Sequence, residues 1–358
     1  MKTESNNPIG LYIHWPYCLS KCPYCAFASS VPTKIDEDML LKGYLRDLDK
    51  FLSSRPISTI FFGGGTPSLM TPTFLEKIIT HIREKTTILP DAEITMEANP
   101  DAIDLPKMKA FAALGVNRLS LGVQSLKDSE LAFLGRRHTV RTALQRIDEA
   151  RKVFNNINID LIYARPDQNL YDWENELRSA LSLGLPHYSL YQLSIEKHTP
   201  FSVRGIQPAP ENIAAGLYRL SDRIMGYKGY VGYEVSNYAK PGFECRHNLA
   251  YWHGLDYIGI GPAAHGRIGM EATQNPRGVN EWLQKGTFSE TLTKKEKKTE
   301  RLLMGLRLRQ EWYPTADLNL KTVEKLVKQN LLELNSQGIR PTLSGTLILD
   351  QVILELMD

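Results

Sequence analysis

The sequence predicts an α/β fold: a partial parallel (β/α)6 barrel, followed by a small helical, winged-helix-like unit at the C-terminal end. Three observations carry this expectation. Six short β-rich runs recur through the first half of the chain, and segments with apolar residues at helical spacing lie between them. Such alternation is the pattern of βαβ units. Polar residues also gather where the runs end, at Gly63–Thr66, Glu97, Gln124 and Asp160, which is where parallel barrels place their chemistry.

The runs are "IGLYIHW" (9–15), "STIFFGG" (58–64), "AEITMEA" (92–98), "NRLSLGV" (117–123), "INIDLIY" (157–163) and "HYSLYQL" (187–193). The first helix, "DEDMLLKGYLRDLDKFL" (36–52), opens on an aspartate and two further acids, which suit a helix N-terminus. "PTFLEKIITHIREK", "TVRTALQRIDEARKVF" and "YDWENELRSALSLG" follow the same spacing, and several such segments stop at a glycine. After about residue 200 the rhythm changes. "PENIAAGLYRLSDRIMG" reads as a helix, "YVGYEVSNYA" as a strand, and "PGFECRHNLAYWHGLDYIGIGPAAHG" as a loop region. We therefore expect a barrel with its extension over 1–265, a linker over 266–292 and a winged-helix-like unit over 293–358, with "IRPTLSGTLILD" as its wing.

Composition narrows the function classes. A net charge of +3 is too weak to argue for nucleic acid or an anionic membrane as partner. No apolar run approaches the roughly twenty residues of a transmembrane span, and the start "MKTESNNPIG" lacks the pattern of a signal peptide. The expectation is a cytoplasmic protein. Its four cysteines, three of them crowded into "CLSKCPYC", read as a metal site rather than a disulfide framework.

Cys18, Cys22 and Cys25 have the spacing CxxxCxxC. Three soft thiolates on one loop suit three corners of a 4Fe–4S cube, leaving the fourth iron open to a small chelating molecule. Structural zinc is the competing reading, and it would have to recruit Cys245, His14 or His247 as a fourth ligand. The glycines at 63–65 make either a plain turn or a backbone that a ligand can approach; the lysine of a P-loop is missing.

This trio after a first strand resembles the radical S-adenosylmethionine superfamily. With "FFGGGTPS", "TMEANP", "LGVQS", "LGRRH" and "NIDLIY", the chain is similar to the subgroup of oxygen-independent coproporphyrinogen III oxidases and their haem-chaperone relatives, over roughly residues 9–265. The resemblance implies a 4Fe–4S cluster on Cys18, Cys22 and Cys25, with S-adenosylmethionine chelating its open iron. It implies that Gly64, Gly65 and Thr66 hold the methionyl amino group, and that Glu97, Gln124, Arg136 and Asp160 contact the same cofactor. Arg136 suits a carboxylate, and Glu97 suits a cationic centre. A structural salt bridge or cap is the competing reading for Glu97 and Asp160. Tyr12 and Tyr24 match too, with Tyr24 beside the nucleotide.

Two features divide the subgroup. The oxidases carry a cysteine two residues after the third ligand, where this chain has Phe27, and an N-terminal extension, where this chain has only a few residues before Tyr12. "CRHNLAYW" (245–252) resembles the HNxxYW motif of the haem chaperones, in which the histidine is associated with haem. That implies His247 as a haem ligand, with Cys245 a second possibility; a packed loop is the competing reading. The resemblance thus implies a haem chaperone that hands haem to respiratory haemoproteins at the membrane. Radical oxidative decarboxylation of coproporphyrinogen III is the alternative. One departure stands out. Relatives usually show Gly-Leu-Pro after "IDLIY", whereas here it is Ala164-Arg165-Pro166, an extra cation for a propionate or for solvent.

Overall fold

The computed structural model describes residues 7–357, so the first six residues of the stretch read for a signal peptide lie outside them. Strands and helices alternate as β1 (Ile9–Trp15), α1 (Glu37–Phe51), β2 (Ile57–Gly64), α2 (Pro72–Lys85), β3 (Ile88–Ala98), α3 (Leu105–Ala113) and β4 (Arg118–Gln124). Then come α4 (Asp128–Phe133), α5 (Val140–Ala150), β5 (Asn156–Tyr163), α6 (Leu170–Ser182) and β6 (His187–Gln192). Strands β1 to β6 pair in parallel in sequence order.

Side chains alternate along each strand, and the two faces of this sheet differ sharply. Leu11, Ile13, Ile60, Phe62, Met96, Leu119, Leu121 and Ile159 are buried and join the main hydrophobic core beneath the helices. The opposite face carries Tyr12, His14, Thr59, Thr95, Glu97, Ser120, Asn158, Asp160 and His187 in matching registers. An apolar outside and a polar inside are what a barrel that encloses a ligand requires. The helices begin where the sequence places their caps. Asp36 accepts a hydrogen bond from the Met39 N–H at 2.9 Å, with Glu37 and Asp38 in the first turn of α1.

The chain continues through α7 (Pro200–Val203), α8 (Glu211–Tyr227), β7 (Val231–Gly232), β8 (Asn237–Ala239), α9 (Arg246–Trp252), β9 (Tyr257–Ile260), β10 (His265–Ile268), β11 (Glu271–Gln274), α10 (Val279–Lys285) and β12 (Phe288–Thr291). Three expectations are corrected here. "YVGYEVSNYA" is not one strand but a short antiparallel pair, β7 and β8, at one end of the sheet. The stretch read as loop holds a helix and β9, which pairs in parallel with β1. The tract 266–292 is not a linker: β10, β11 and β12 extend the sheet beyond β9, and α10 buries Trp282 against Tyr44 with ring centroids 5.2 Å apart. Gly43 makes room for that indole, since a Cβ there would lie 2.4 Å from it.

The last part of the chain builds a second core from Leu302, Leu306, Val323, Leu326, Ile339, Val352 and Ile353. It comprises α11 (Lys294–Gly305), α12 (Leu320–Lys328), the hairpin β13 (Leu332–Asn335) and β14 (Gly338–Pro341), α13 (Leu343–Leu347) and α14 (Leu349–Met357). The wing is displaced from the expected stretch. Thr342 caps a helix by accepting from the Gly345 N–H at 3.0 Å, and Leu349, Val352, Ile353 and Leu356 then keep helical spacing. Among the described residues, no helix is long and apolar enough to cross a membrane.

Candidate functional site

The cysteine loop leaves the end of β1 and folds back on itself. The Cys18 N–H donates to the Ser30 carbonyl at 2.9 Å, and the Ser30 N–H donates to the Pro16 carbonyl at 2.9 Å. His14 reaches from β1 to the Ala28 carbonyl through Nε2 at 2.9 Å, and its Nδ1 meets the Tyr12 hydroxyl at 3.0 Å. Since Nε2 faces a carbonyl it carries the proton, which leaves Nδ1 to accept from Tyr12. The loop is thereby tied to two inward residues of β1. Cys22 is buried, while Cys18 and Cys25 are partly exposed. Burial pushes the Cys25 thiol pKa up, and the Cys22 and Cys18 sulfurs nearby add to the rise.

The glycine run after β2 meets this loop from the other side. Its N–H groups, expected to be open to a ligand, are occupied. The Gly65 N–H donates to the Trp15 carbonyl at 2.7 Å and the Thr66 N–H to the Tyr17 carbonyl at 2.8 Å. The backbone at Gly64 also faces the Glu97 carboxylate and favours its ionised form. Glycine is required for a steric reason: Gly64 has φ +107°, and a Cβ at Gly65 would sit 2.5 Å from the Tyr17 carbonyl oxygen.

Four predicted residues converge beside the loop: Glu97, Gln124 and Asp160 from strands β3, β4 and β5, and Arg136 from the segment between α4 and α5. Gly122, at the end of β4, marks the meeting point: a Cβ there would fall 2.9 Å from Gln124 Nε2, 2.9 Å from Asn99 Oδ1 and 3.2 Å from Arg136 Nη2. Gln124 itself has φ +69°, a conformation uncommon outside glycine. Arg136 donates through Nη2 to Asn99 Oδ1 at 2.5 Å and to the Gly122 carbonyl at 2.8 Å, and through Nη1 to Cys22 Sγ at 3.4 Å. Both its terminal nitrogens therefore serve the protein, one of them a predicted cluster thiol. Burial raises the Glu97 pKa to about 8, and the charge of Asp160 adds to the rise. Burial likewise raises that of Asp160, opposed by hydrogen bonds from Asn158 and Ser189. Two carboxyls within electrostatic reach of each other in a polar bowl ionise more readily when a cation binds. Tyr24 neighbours Cys22 and Arg136 and packs its ring 6.3 Å from Phe201.

His247 does not join this group. It is 1% exposed on α9, under the strands rather than at their ends, beside Gly10 and Thr59. Its Nδ1 meets Thr59 Oγ1 at 2.8 Å and its Nε2 meets the Tyr251 hydroxyl at 2.8 Å, while Phe61 stacks on the ring at 5.2 Å. Both nitrogens are taken, and burial lowers the pKa to about 3. The imidazole expected to ligate haem iron thus offers it no free nitrogen. Cys245 is also buried, and its thiol donates to Glu93 Oε1 at 3.4 Å. Glu93 further accepts from the Arg246 and His247 N–H groups, each at 3.1 Å, so a strand carboxylate caps this helix.

Arg165, expected to meet a propionate or solvent, does neither. It is 1% exposed, pairs with Glu176 on α6, and pairs through Nε with Glu130 on α4 at 2.9 Å. Glu176 also accepts from the Ser125 hydroxyl and, at 2.9 Å, from the Leu126 N–H. The segment after Gln124 is thereby fixed. Sequence reasoning also missed Asn99, which joins Arg136 to Thr66 Oγ1 at 3.0 Å; its signal was its place two residues beyond Glu97, just past the end of β3.

Comparison with known proteins accords with this geometry. A family model described as the radical SAM superfamily matches residues 12–180. A bovine protein named "Radical S-adenosyl methionine domain-containing protein 1, mitochondrial" is 35% identical, with 97% of this chain and 87% of that protein covered. The chain belongs to the radical S-adenosylmethionine superfamily. The Escherichia coli protein named heme chaperone HemW is 38% identical across 76% of this chain and 75% of its own length. The solved structure of the E. coli coproporphyrinogen III oxidase HemN superposes with a TM-score of 0.85 at 22% identity, covering 99% of this chain and 91% of that one, a likeness of fold. Membership of the family implies a 4Fe–4S cluster and S-adenosylmethionine. The donor set fits. Cys18, Cys22 and Cys25 are free thiols on one loop, and thiolates are the ligands such a cluster takes.

Proposed function

We propose that this protein is a haem chaperone that takes up haem and delivers it to respiratory haemoproteins at the membrane. The observation that carries the proposal is the 38% identity, over three quarters of both chains, to a protein named as a heme chaperone. Phe27, standing where the oxidases have a further cysteine, favours it over coproporphyrinogen decarboxylation.

In this reading Cys18, Cys22 and Cys25 hold the cluster, and S-adenosylmethionine lies across the strand ends. Bound there, the pair supplies one-electron reductive chemistry at a sulfonium. Glu97 faces the cationic methionyl group and Asp160 the hydroxyls of the nucleotide. Gln124, Arg136 and Tyr24 would close the side nearest Cys22. Arg136 acts through Cys22 and Asn99 as well, steadying a cluster thiolate. Tyr12 and His14 hold the loop, and Gly64, Gly65 and Thr66 fix its base. Free cysteines suit a reducing compartment such as the cytoplasm, while named relatives include mitochondrial proteins.

Anaerobically reconstituted protein tests the reading when given haemin in one assay and coproporphyrinogen III with a reductant in another. Stoichiometric haem uptake, followed by transfer to an apo-cytochrome in vesicles, is the expected result. Catalytic turnover of coproporphyrinogen would overturn it.

A further inference from the structure

The residues that the proposed function needs but the strand ends do not supply are an accessible axial ligand and a face for a flat, dianionic macrocycle. The cysteine loop and the start of β10 bring these together. Among the eight histidines, His14, His187 and His247 have both ring nitrogens bonded, His138 is buried, and His81 and His253 are bound to carboxylates. His198 and His265 are exposed, and among the described residues no hydrogen-bond partner restrains either ring. His265 stands on the rigid edge of β10, paired with Gln274, and feels the charges of both Arg277 and Arg267. His14, which holds the Ala28 carbonyl, feels His265 and Arg277 in turn. The Ala263 N–H donates to the Pro276 carbonyl at 2.8 Å and the Asn275 N–H to the Ala264 carbonyl at 2.9 Å, so the start of β10 lies beside Arg277, which reaches the Ala26 carbonyl of the cysteine loop.

That loop presents Phe27, 68% exposed, with Leu19 and Val31 also exposed. From Pro16 to Lys34 it contains no acidic residue. Cations surround it and pin its carbonyls. Arg277 donates to Ala26 at 3.4 Å, and Lys21 donates to Phe27 at 3.3 Å and to Ser29 at 3.1 Å. Arg137 donates to Leu19 at 3.3 Å and also faces Asp101 at 3.7 Å, whereas Lys21 and Arg277 have no carboxylate partner among the described residues. An apolar platform, unpaired cations and a free imidazole are complementary to a porphyrin plane, its propionates and its iron.

Resting on the haem-chaperone reading, we propose that haem docks on the outer face of the cysteine loop. His265 is its axial ligand, Phe27 its platform, and Arg277 and Lys21 the partners of its propionates. Partial enclosure of the ring, with the two arginines beside it, lowers the pKa of His265 and favours the neutral imidazole that can ligate.

The test is a haemin titration of the reconstituted full chain, read by the Soret band and by the low-spin signature of an imidazole ligand. His265→Ala should lose that signature and weaken binding at least tenfold, with iron and sulfide content unchanged. Phe27→Ser and Arg277→Gln should each weaken binding severalfold, and the Arg277 variant should discriminate less between haemin and its dimethyl ester. His198→Ala should titrate as the parent does. If His265→Ala keeps the parent signature and affinity, this site is wrong while the chaperone reading stands. If the parent chain binds no haemin at all, the chaperone reading itself fails, and this site with it.

Discussion

Arg136 Nη1 lies 3.4 Å from Cys22 Sγ, while the same guanidinium holds Asn99 and the Gly122 carbonyl. A fixed cation beside a cluster thiolate favours the more negative, reduced state. Arg136→Gln should therefore keep the cluster but lower its midpoint potential by roughly 50–100 mV, the scale of one unit charge at an effective dielectric of about 20. An anaerobic redox titration followed by electron paramagnetic resonance measures it. Cys22→Ala, in contrast, should lose the cluster iron altogether, and undiminished iron in that variant would reject the ligand set.

The raised pKa of Glu97, about 8, leaves it mostly protonated at neutral pH in the free protein. Binding a cationic methionyl group favours the carboxylate, so binding should release a proton. S-adenosylmethionine affinity should rise about tenfold between pH 7 and pH 9, following the carboxylate fraction. Calorimetry in two buffers of different ionisation heat detects the proton. Glu97→Gln should bind more weakly and without this pH dependence.

Arg165 is a buried cation answering two carboxylates. Removing it alone leaves Glu176 charged and enclosed. Arg165→Met should cost about 3–5 kcal/mol in urea unfolding. Adding Glu176→Gln and Glu130→Gln should recover much of that loss. A single variant as stable as the parent would show that the triad carries no net stability.

His247 is held neutral, with a folded pKa of about 3. The unfolded chain takes up that proton near the ordinary histidine value while the native chain does not. Its contribution to stability is therefore complete above about pH 6.5 and is lost as pH falls toward 3. His187, lowered well below its usual value by burial and by Arg118, acts in the same direction. Denaturation followed across this window should give a shallower acid slope for His247→Gln than for the parent.

The sequence discloses features whose logic is local. Cys18, Cys22 and Cys25 share one loop, and Glu97 and Gln124 at strand ends and Asp160 within β5 lie on strands whose periodicity is plain. It is silent where partners are remote. Arg165 reads as a surface cation because nothing in its spacing announces Glu130 and Glu176. Strand β9 is four residues with a glycine inside, and only its pairing with β1, across most of the chain, makes it a strand. The expectation for His247 rested on a motif, and a motif does not report that Thr59 and Tyr251 already occupy both ring nitrogens.

The pairing of β1 with β9 bears on how the chain can be divided. Asp47, 1% exposed on α1, accepts from Trp282 Nε1 at 2.8 Å, from Asn275 Nδ2 at 3.1 Å and from the Gly261 N–H at 3.3 Å. All three donors come after β9, far outside the segment 12–180 that the family model matches. A fragment trimmed to that segment would leave what remains of β1, the strand that leads into the cysteine loop, as a bare edge and strip Asp47 Oδ2 of its donors. Expression of the shorter piece should yield aggregate rather than a minimal cluster-binding module.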